Sequence, residues 1–234
     1  MEQAICVIPA RGGSKRIPHK NIRPFHGEPV ISYSIRAALD SGVFDEVMVS
    51  TDDEEIAYIA RKCGASVPFM RSQKNADDHS TTNDALLEVL EQYRSFDRSF
   101  RYLVCVYATA PFVTADKLRA LLATIRKQKA HEVIPVTAFS FPPQRAFVIG
   151  DDGFLSYRYP EYALSRSQDL PVHYHDIGQY YAYDTAAFIE GKGHVSGRRF
   201  PLIVERDEAQ DIDTEEDWKE AELKYRLLKE AGRL

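Results

Sequence analysis

Arg11-Gly12-Gly13-Ser14-Lys15-Arg16-Ile17-Pro18-His19-Lys20-Asn21 gathers four cations, a histidine and two adjacent glycines into one short stretch. The whole chain carries a formal charge of −5, so this cluster runs against the trend. Backbone N–H groups freed by glycine, together with cations, are what a nucleotide phosphate requires. The spacing is neither the Walker loop nor the Gly-x-Gly-x-x-Gly fingerprint. A solvated basic loop is the plain alternative.

A second group lies near the other end of the chain. Asp211 and Asp213 are two apart, and in an extended segment such residues face the same side. Paired carboxylates suit Mg²⁺, a hard cation that takes oxygen ligands and keeps several waters. On its own the pair reads equally well as a helix cap (Asp213) beside a solvated acid (Asp211). A triphosphate on the basic loop would bring a metal with it and favours the metal reading. Asp52 and Asp53 are adequately explained as a cap and a first-turn acid. Arg71 reads by position as an ordinary surface arginine, with a nucleotide contact as the alternative. A third set, Arg145, Arg166, Gln168, Asp169, His175, Asp176 and Gln179, offers a guanidinium for a carboxylate and amide groups for hydroxyls. It is interleaved with tyrosines, seven of the thirteen lying between Tyr157 and Tyr183. Tyrosine and arginine are also enriched at subunit interfaces.

These groups need elements to position them. Residues 4–8 read as a first strand immediately before the basic loop. Residues 29–39 place Ile31, Ile35, Ala38 and Leu39 on one helical face, with Gly42 as the stop. Residues 46–50 read as the next strand, followed by a helix capped by Thr51 or Asp52 with Ile56, Ile59 and Ala60 inward. A short strand over 66–70, a helix over 82–93 (Leu86, Leu87, Leu90), a strand over 102–107, a helix on Leu118, Leu121, Leu122 and Ile125, and a strand over 132–137 follow. The alternation predicts a largely parallel sheet covered by helices on both faces. Ligands then bind at the carboxyl ends of the strands, where the polar clusters fall. From about residue 140 to 185 the periodicity fails, and this stretch reads as an arm outside the sheet. Thr214 caps a final helix whose Leu223, Leu227 and Leu228 pack on the body.

A length of 234 residues suits one domain with an inserted arm. The acidic balance argues against a general nucleic-acid binder. Three scattered cysteines suggest neither a disulfide framework nor a Cys-rich metal site. The chain opens directly on its first strand and contains no apolar run of membrane-spanning length, which predicts a cytoplasmic protein with no membrane partner.

Residues 8–21, Ile8-Pro9-Ala10 and the basic loop, resemble the N-terminal signature of the acylneuraminate (CMP-sialic acid) cytidylyltransferases. Val49-Ser50-Thr51-Asp52-Asp53 is similar to their second-strand motif, and Asp211-Ile212-Asp213-Thr214 to their C-terminal metal motif. The likeness runs in order along nearly the whole chain. Where the family carries Gln-Pro-Thr-Ser-Pro, this chain has Tyr107-Ala108-Thr109-Ala110-Pro111. The segments around Arg145, Arg166 and Gln179 are similar to the pseudaminic acid branch. The resemblance implies a three-layer α/β/α nucleotide-diphospho-sugar transferase sandwich, Rossmann-like, with a dimerisation and sugar-binding arm and a homodimeric state. It implies Mg²⁺ on Asp211 and Asp213, with Arg11 and Lys20 joining them as catalytic residues. It places CTP on Ala10, Arg11, Gly12, Gly13, Ser14, Lys15, Lys20, Asn21, Arg71 and Thr82. A nine-carbon 2-keto sugar acid would meet Tyr107, Arg145, Arg166, Gln168, Gln179 and Tyr181. The implied reaction is CTP plus pseudaminic acid giving the CMP-sugar and pyrophosphate, for glycosylation of surface glycans or flagellin. N-acetylneuraminic and legionaminic acids are the alternative substrates. A nucleotide-sugar-dependent glycosyltransferase and a non-catalytic nucleotide binder are the alternatives of other classes.

Overall fold

Residues 4–9 are apolar without alternation, and all but the last are buried. Such a run belongs in the middle of a sheet covered on both faces. The structure, a computed structural model, describes residues 3–14, 16–77 and 80–234. β1 (Ala4–Pro9) leads through the basic loop to a small hairpin, β2 (Pro24–Phe25) and β3 (Glu28–Pro29), and then to α1 (Ile31–Ser41). β4 (Glu46–Ser50), α2 (Glu54–Lys62), α3 (Thr82–Ser95), β5 (Tyr102–Val106), α4 (Ala115–Gln128) and β6 (Glu132–Ala138) continue the alternation. After β6 come a hairpin of β7 (Phe147–Ile149) and β8 (Leu155–Tyr157), then β9 (Tyr174–Asp176), β10 (Tyr180–Asp184), α5 (Thr185–Glu190), β11 (Arg199–Ile203) and α6 (Glu215–Glu230).

The central sheet has seven strands in the order β11-β6-β10-β5-β1-β4, with β9 also on β6. β1 runs parallel to β4 and β5, and β11 parallel to β6. β10 is antiparallel to both of its neighbours, and β9 is antiparallel to β6. The sheet is therefore mixed, and the stretch expected to be an arm ends inside it. Only residues 139–173 lie outside the sheet. β9 and β10 form one interrupted strand along β6, broken at residues 177–179, where Gly178 takes a left-handed φ of 66°.

Two apolar clusters fill the layers. One packs α1, α2 and α4 on Ala4, Cys6 and Ile8 of β1; the other packs α3 and α5 on Ile5 and Val7. A third bears directly on function: Ile17 of the basic loop and Ile212 of the acidic segment, both fully buried, meet Phe25, Phe112 and Trp218. In Asp211-Ile212-Asp213 the apolar residue turns in and both acids turn out. Burying Ile17 and Ile212 is worth roughly 1.5–3 kcal/mol each, enough to fix the loop beside the acids.

Several local expectations shift. The α2 cap is Asp53, whose carboxylate accepts from the amides of Glu55 and Ile56. Residues 66–70 form no strand; Ser66 makes a single bridge to Met48. Leu39, Leu223 and Leu227 are 40%, 48% and 56% exposed; α6 docks through Leu228, as expected, together with Trp218 and Ala221. Among the described residues no helix is long and apolar enough to cross a membrane.

Candidate nucleotide and metal site

At the carboxyl ends of β1 and β5 a cleft of ≈ 560 Å³ opens, bounded by Arg11, Ser14, Lys20, Asn21, Arg71, Thr82 and Tyr107. Its floor is the loop that leaves β1. Asn21 Nδ2 donates to the Arg11 carbonyl at 2.9 Å, which folds the loop back on itself. The Gly12 amide donates to Asp52 Oδ1 at 3.0 Å. A Cβ on Gly12 would lie 2.7 Å from Asp53 Oδ2, so the glycine makes room for a neighbouring strand end. Gly13 has nothing within 4 Å of that position, and it borders a second, shallower opening together with Gly12, Ser14 and His19. Ala10, fully buried, anchors the loop's start, and its amide donates to the Ser50 carbonyl at 2.9 Å. Lys15 lies outside the described residues.

Arg71 is not a surface arginine. It is 9% exposed, its Nε donates to Ser50 Oγ at 3.1 Å and its Nη2 to the Ser50 carbonyl. Burial lowers its pKa, while the charges of Asp52 and Glu88 pull the other way. The guanidinium is thus fixed to the end of β4 as part of the cleft wall. Thr82 opens α3 directly after its cap, Thr81, inside the Thr81–Asp84 capping box. Tyr107 shares hydrogen bonds with Thr82 and Tyr181, and burial pushes its hydroxyl up to about 12.

The acidic segment meets this floor across the length of the chain. Lys20 Nζ donates to the Ile212 carbonyl at 2.7 Å and lies 3.3 Å from Asp213 Oδ1; Arg16 approaches the same oxygen at 3.0 Å. Asp213 is not the helix cap. Thr214 caps α6, and the Asp217 carboxylate accepts from the Thr214 and Asp213 amides. Asp211 is raised above the usual carboxylate range, first by burial and then by the Asp213 charge, with Lys20 opposing. Two acids that repel one another, with the charge of Lys20 close by, fit a divalent cation. No group of three or more ligating side chains occurs among the described residues. A two-carboxylate site would leave coordination positions for phosphate oxygens and water, as Mg²⁺ prefers.

The residues expected to meet a sugar acid fall into two groups, with Tyr107, Tyr181 and Gln179 together at the cleft and the others apart from it. Tyr181 packs behind Tyr107 with ring centroids 5.7 Å apart, and burial is the main cause of its strongly raised pKa. Gln179 is buried, and its Nε2 donates to the carbonyls of Glu208 and Gln210 at 2.9 and 3.3 Å, so it props up the acidic segment. Arg145, Arg166 and Gln168 lie on the excursion outside the sheet and do not border the cleft. Arg145 Nη1 donates to Ser167 Oγ at 3.1 Å, and Arg166 is 77% exposed with Asp169 at 4.0 Å. Sequence reasoning missed Asn75 and Ser80 in the cleft lining, and it named Arg16 and Thr109 only as parts of their segments. Of these, Arg16 carried a signal, lying within the basic loop, as did Ile17 and Ile212, lone apolar residues between charges.

Residues 5–221 match the family described as Cytidylyltransferase. The chain is 37% identical over 228 residues to the pseudaminic acid cytidylyltransferase of Campylobacter jejuni subsp. jejuni serotype O:2, covering 97% of this chain and 98% of that one. It is 34% identical over 234 residues to the CMP-N,N'-diacetyllegionaminic acid synthase of Legionella pneumophila, with 97% and 98% covered. In shape it resembles CMP:2-keto-3-deoxy-manno-octonic acid synthetase complexed with CTP, with a TM-score of 0.70 at 19% identity over 97% of this chain and 99% of that one. With its α/β/α layers, its basic loop after β1 and a family match over most of its length, this chain belongs to the cytidylyltransferase family and is a nucleotidyltransferase.

Proposed function

We propose that this chain transfers CMP from CTP to pseudaminic acid, releasing pyrophosphate, in the cytoplasm where the nucleotide is made. The observation that carries the reading is the junction of Lys20 with Ile212 and Asp213 at the edge of the cleft. It sets phosphate-binding cations beside a carboxylate pair. The full-length relative from Campylobacter supports the acid substrate.

In this reading Arg11 and Lys20, with Gly12, Gly13 and Ser14, hold the triphosphate. Asn21, Arg71 and Thr82 position the nucleoside, and Ala10 keeps the loop at its depth. Asp211 and Asp213 would hold Mg²⁺, which when bound neutralises charge on the triphosphate and the leaving pyrophosphate. The anomeric hydroxyl attacks the α-phosphorus. A new O–P bond forms, the bond to the β-phosphate oxygen breaks, and the hydroxyl proton leaves to solvent. Lys20 and Arg11 stay with the departing pyrophosphate, where negative charge accumulates. Tyr107 and Tyr181 form the wall nearest the acid. Arg145, Arg166 and Gln168 reach the acid in a homodimer. Phe141, Ile149, Phe154, Leu155 and Leu164, between 67% and 99% exposed on the excursion, supply the apolar face for that contact.

The test is pyrophosphate release from CTP with pseudaminic, legionaminic and N-acetylneuraminic acids. Pseudaminic acid should give the highest kcat/KM by at least about tenfold, or about 1.4 kcal/mol. A higher value with legionaminic acid moves the assignment to that substrate. CTP binding without pyrophosphate from any acid overturns the enzymatic reading.

A further inference from the structure

Asp176 ends β9 at the point where the sheet strand is interrupted. Its Oδ1 accepts from the Gly178 amide at 2.8 Å, which closes the turn that gives Gly178 its left-handed φ. Tyr181 donates its hydroxyl to both Asp176 oxygens at 2.9 Å. The turn is not idle backbone. A Cβ on Gly178 would lie 3.0 Å from Asp211 Cγ and 3.1 Å from its Oδ2, so the Gly178 backbone packs directly on the Asp211 carboxylate. The next residue, Gln179, holds the carbonyls of Glu208 and Gln210, the chain leading into Asp211. On the other side Tyr181 packs on Tyr107, which borders the cleft.

We infer that Asp176 is a positioning residue that sets the Asp211 carboxylate, through the Gly178 turn, and the Tyr107 wall, through Tyr181. The inference rests on the proposed metal-holding role of Asp211. One side chain thereby ties the metal side of the reaction to the side that faces the acid. Groups that orient a metal ligand without touching the metal commonly cost 10–100-fold in metal affinity when removed.

The experiment measures Mn²⁺ binding to the full chain by electron paramagnetic resonance, with and without CTP, beside CTP binding without metal. Asp176→Ala should weaken Mn²⁺ binding by about tenfold or more and leave metal-free CTP binding within about twofold. Asp176→Asn keeps an oxygen that accepts from Gly178 and Tyr181, and should bind Mn²⁺ within about threefold of the unaltered protein. An equal loss in the asparagine variant would assign the effect to charge and overturn the positioning role. Unchanged Mn²⁺ affinity in Asp176→Ala would also overturn it. Gly178→Ala supplies a second route if Asp176→Ala does not fold, because its methyl group presses on Asp211; Mn²⁺ affinity equal to the unaltered protein's would sink the inference. Failure of the unaltered protein to bind Mn²⁺ removes the metal reading itself, an outcome distinct from a variant that binds as well as its parent.

Discussion

The nucleotide end of this molecule and the excursion at residues 139–173 are built by opposite rules. In the cleft each functional group is held by another part of the chain. Arg71 is bonded to Ser50, Lys20 to Ile212, Asn21 to Arg11, and Ile17 and Ile212 sit in a common core. Such groups lose little freedom when a ligand arrives, so binding energy is retained for the transition state. On the excursion Arg166 is 77% exposed, Leu164 is 99% exposed, and the β7–β8 hairpin shows apolar side chains to solvent. The difference teaches that the cleft's groups are held in advance by their own chain, while those of the excursion stand open to solvent, as the proposed dimer contact requires.

The sharpest break in that contrast would be a nucleotide half that tolerates damage. Asp213→Asn removes the negative charge that Arg16 and Lys20 approach and one of the two carboxylates proposed to hold Mg²⁺. Steady-state pyrophosphate release at saturating CTP should fall by about three orders of magnitude, the equivalent of losing roughly 4 kcal/mol of charge stabilisation. The circular dichroism spectrum should stay unchanged. Activity within tenfold of the parent would remove the acid pair from the chemistry.

Next in size is the reverse test, damage to the excursion alone. Ile149→Glu places a charge on a side chain that is 74% exposed and belongs to the apolar face assigned to the dimer. Sedimentation should show a monomer, kcat/KM for the acid should fall about a hundredfold, and the CTP dissociation constant should move by less than about twofold. A dimer that persists, or a monomer that activates the acid normally, would erase the distinction between the two halves.

Much of the nucleotide half is legible in the sequence because its signals are local. Leu118, Leu121, Leu122 and Ile125 recur at helical spacing, and all four are buried. The basic loop and the aspartate pair announce themselves by charge. Gly12 has a further use that the sequence does not show, because its missing side chain makes room for Asp53. β10 is illegible for a different reason. Tyr180, Tyr181 and Tyr183 look like an interface stretch, yet they are buried between β5 and β6, whose pairing partners lie some fifty to eighty residues earlier in the chain. Periodicity reports which face of an element is apolar and not which strands will flank it. Arg71 fails the same way, since a buried arginine is recognisable only when its partner at Ser50 is in place.

Arg71→Met sharpens the contrast through stability. It removes two guanidinium hydrogen bonds from a buried position. The loss should be about 2–3 kcal/mol, because charged hydrogen bonds are the costly ones to delete. For a chain of this size that corresponds to a Tm lower by about 4–10 °C in calorimetry. CTP affinity should weaken about tenfold in the same variant. An unshifted Tm would mean that the Ser50 contacts contribute nothing and that the wall is not held in advance.

The smallest expected effect tests the excursion one residue at a time. Among the described residues Arg166 meets Asp169, at 4.0 Å and in solvent, so its removal should leave the isolated fold untouched. If it reaches the acid's carboxylate in the dimer, Arg166→Ala should raise the KM for the acid about tenfold, about 1.4 kcal/mol, with the KM for CTP unmoved. Arg166→Lys keeps the charge and loses the two-pronged donor geometry, so it should recover only part of that loss. Arg145 provides the internal comparison. Its Nη1 is already engaged by Ser167 and its Nε is buried, without a hydrogen-bond partner among the described residues, so it is more tightly packed than Arg166. An acid KM that responds to Arg145→Ala and not to Arg166→Ala would move the carboxylate contact to the more tightly held arginine, and the excursion would then resemble the cleft in holding its cation in place before the substrate arrives.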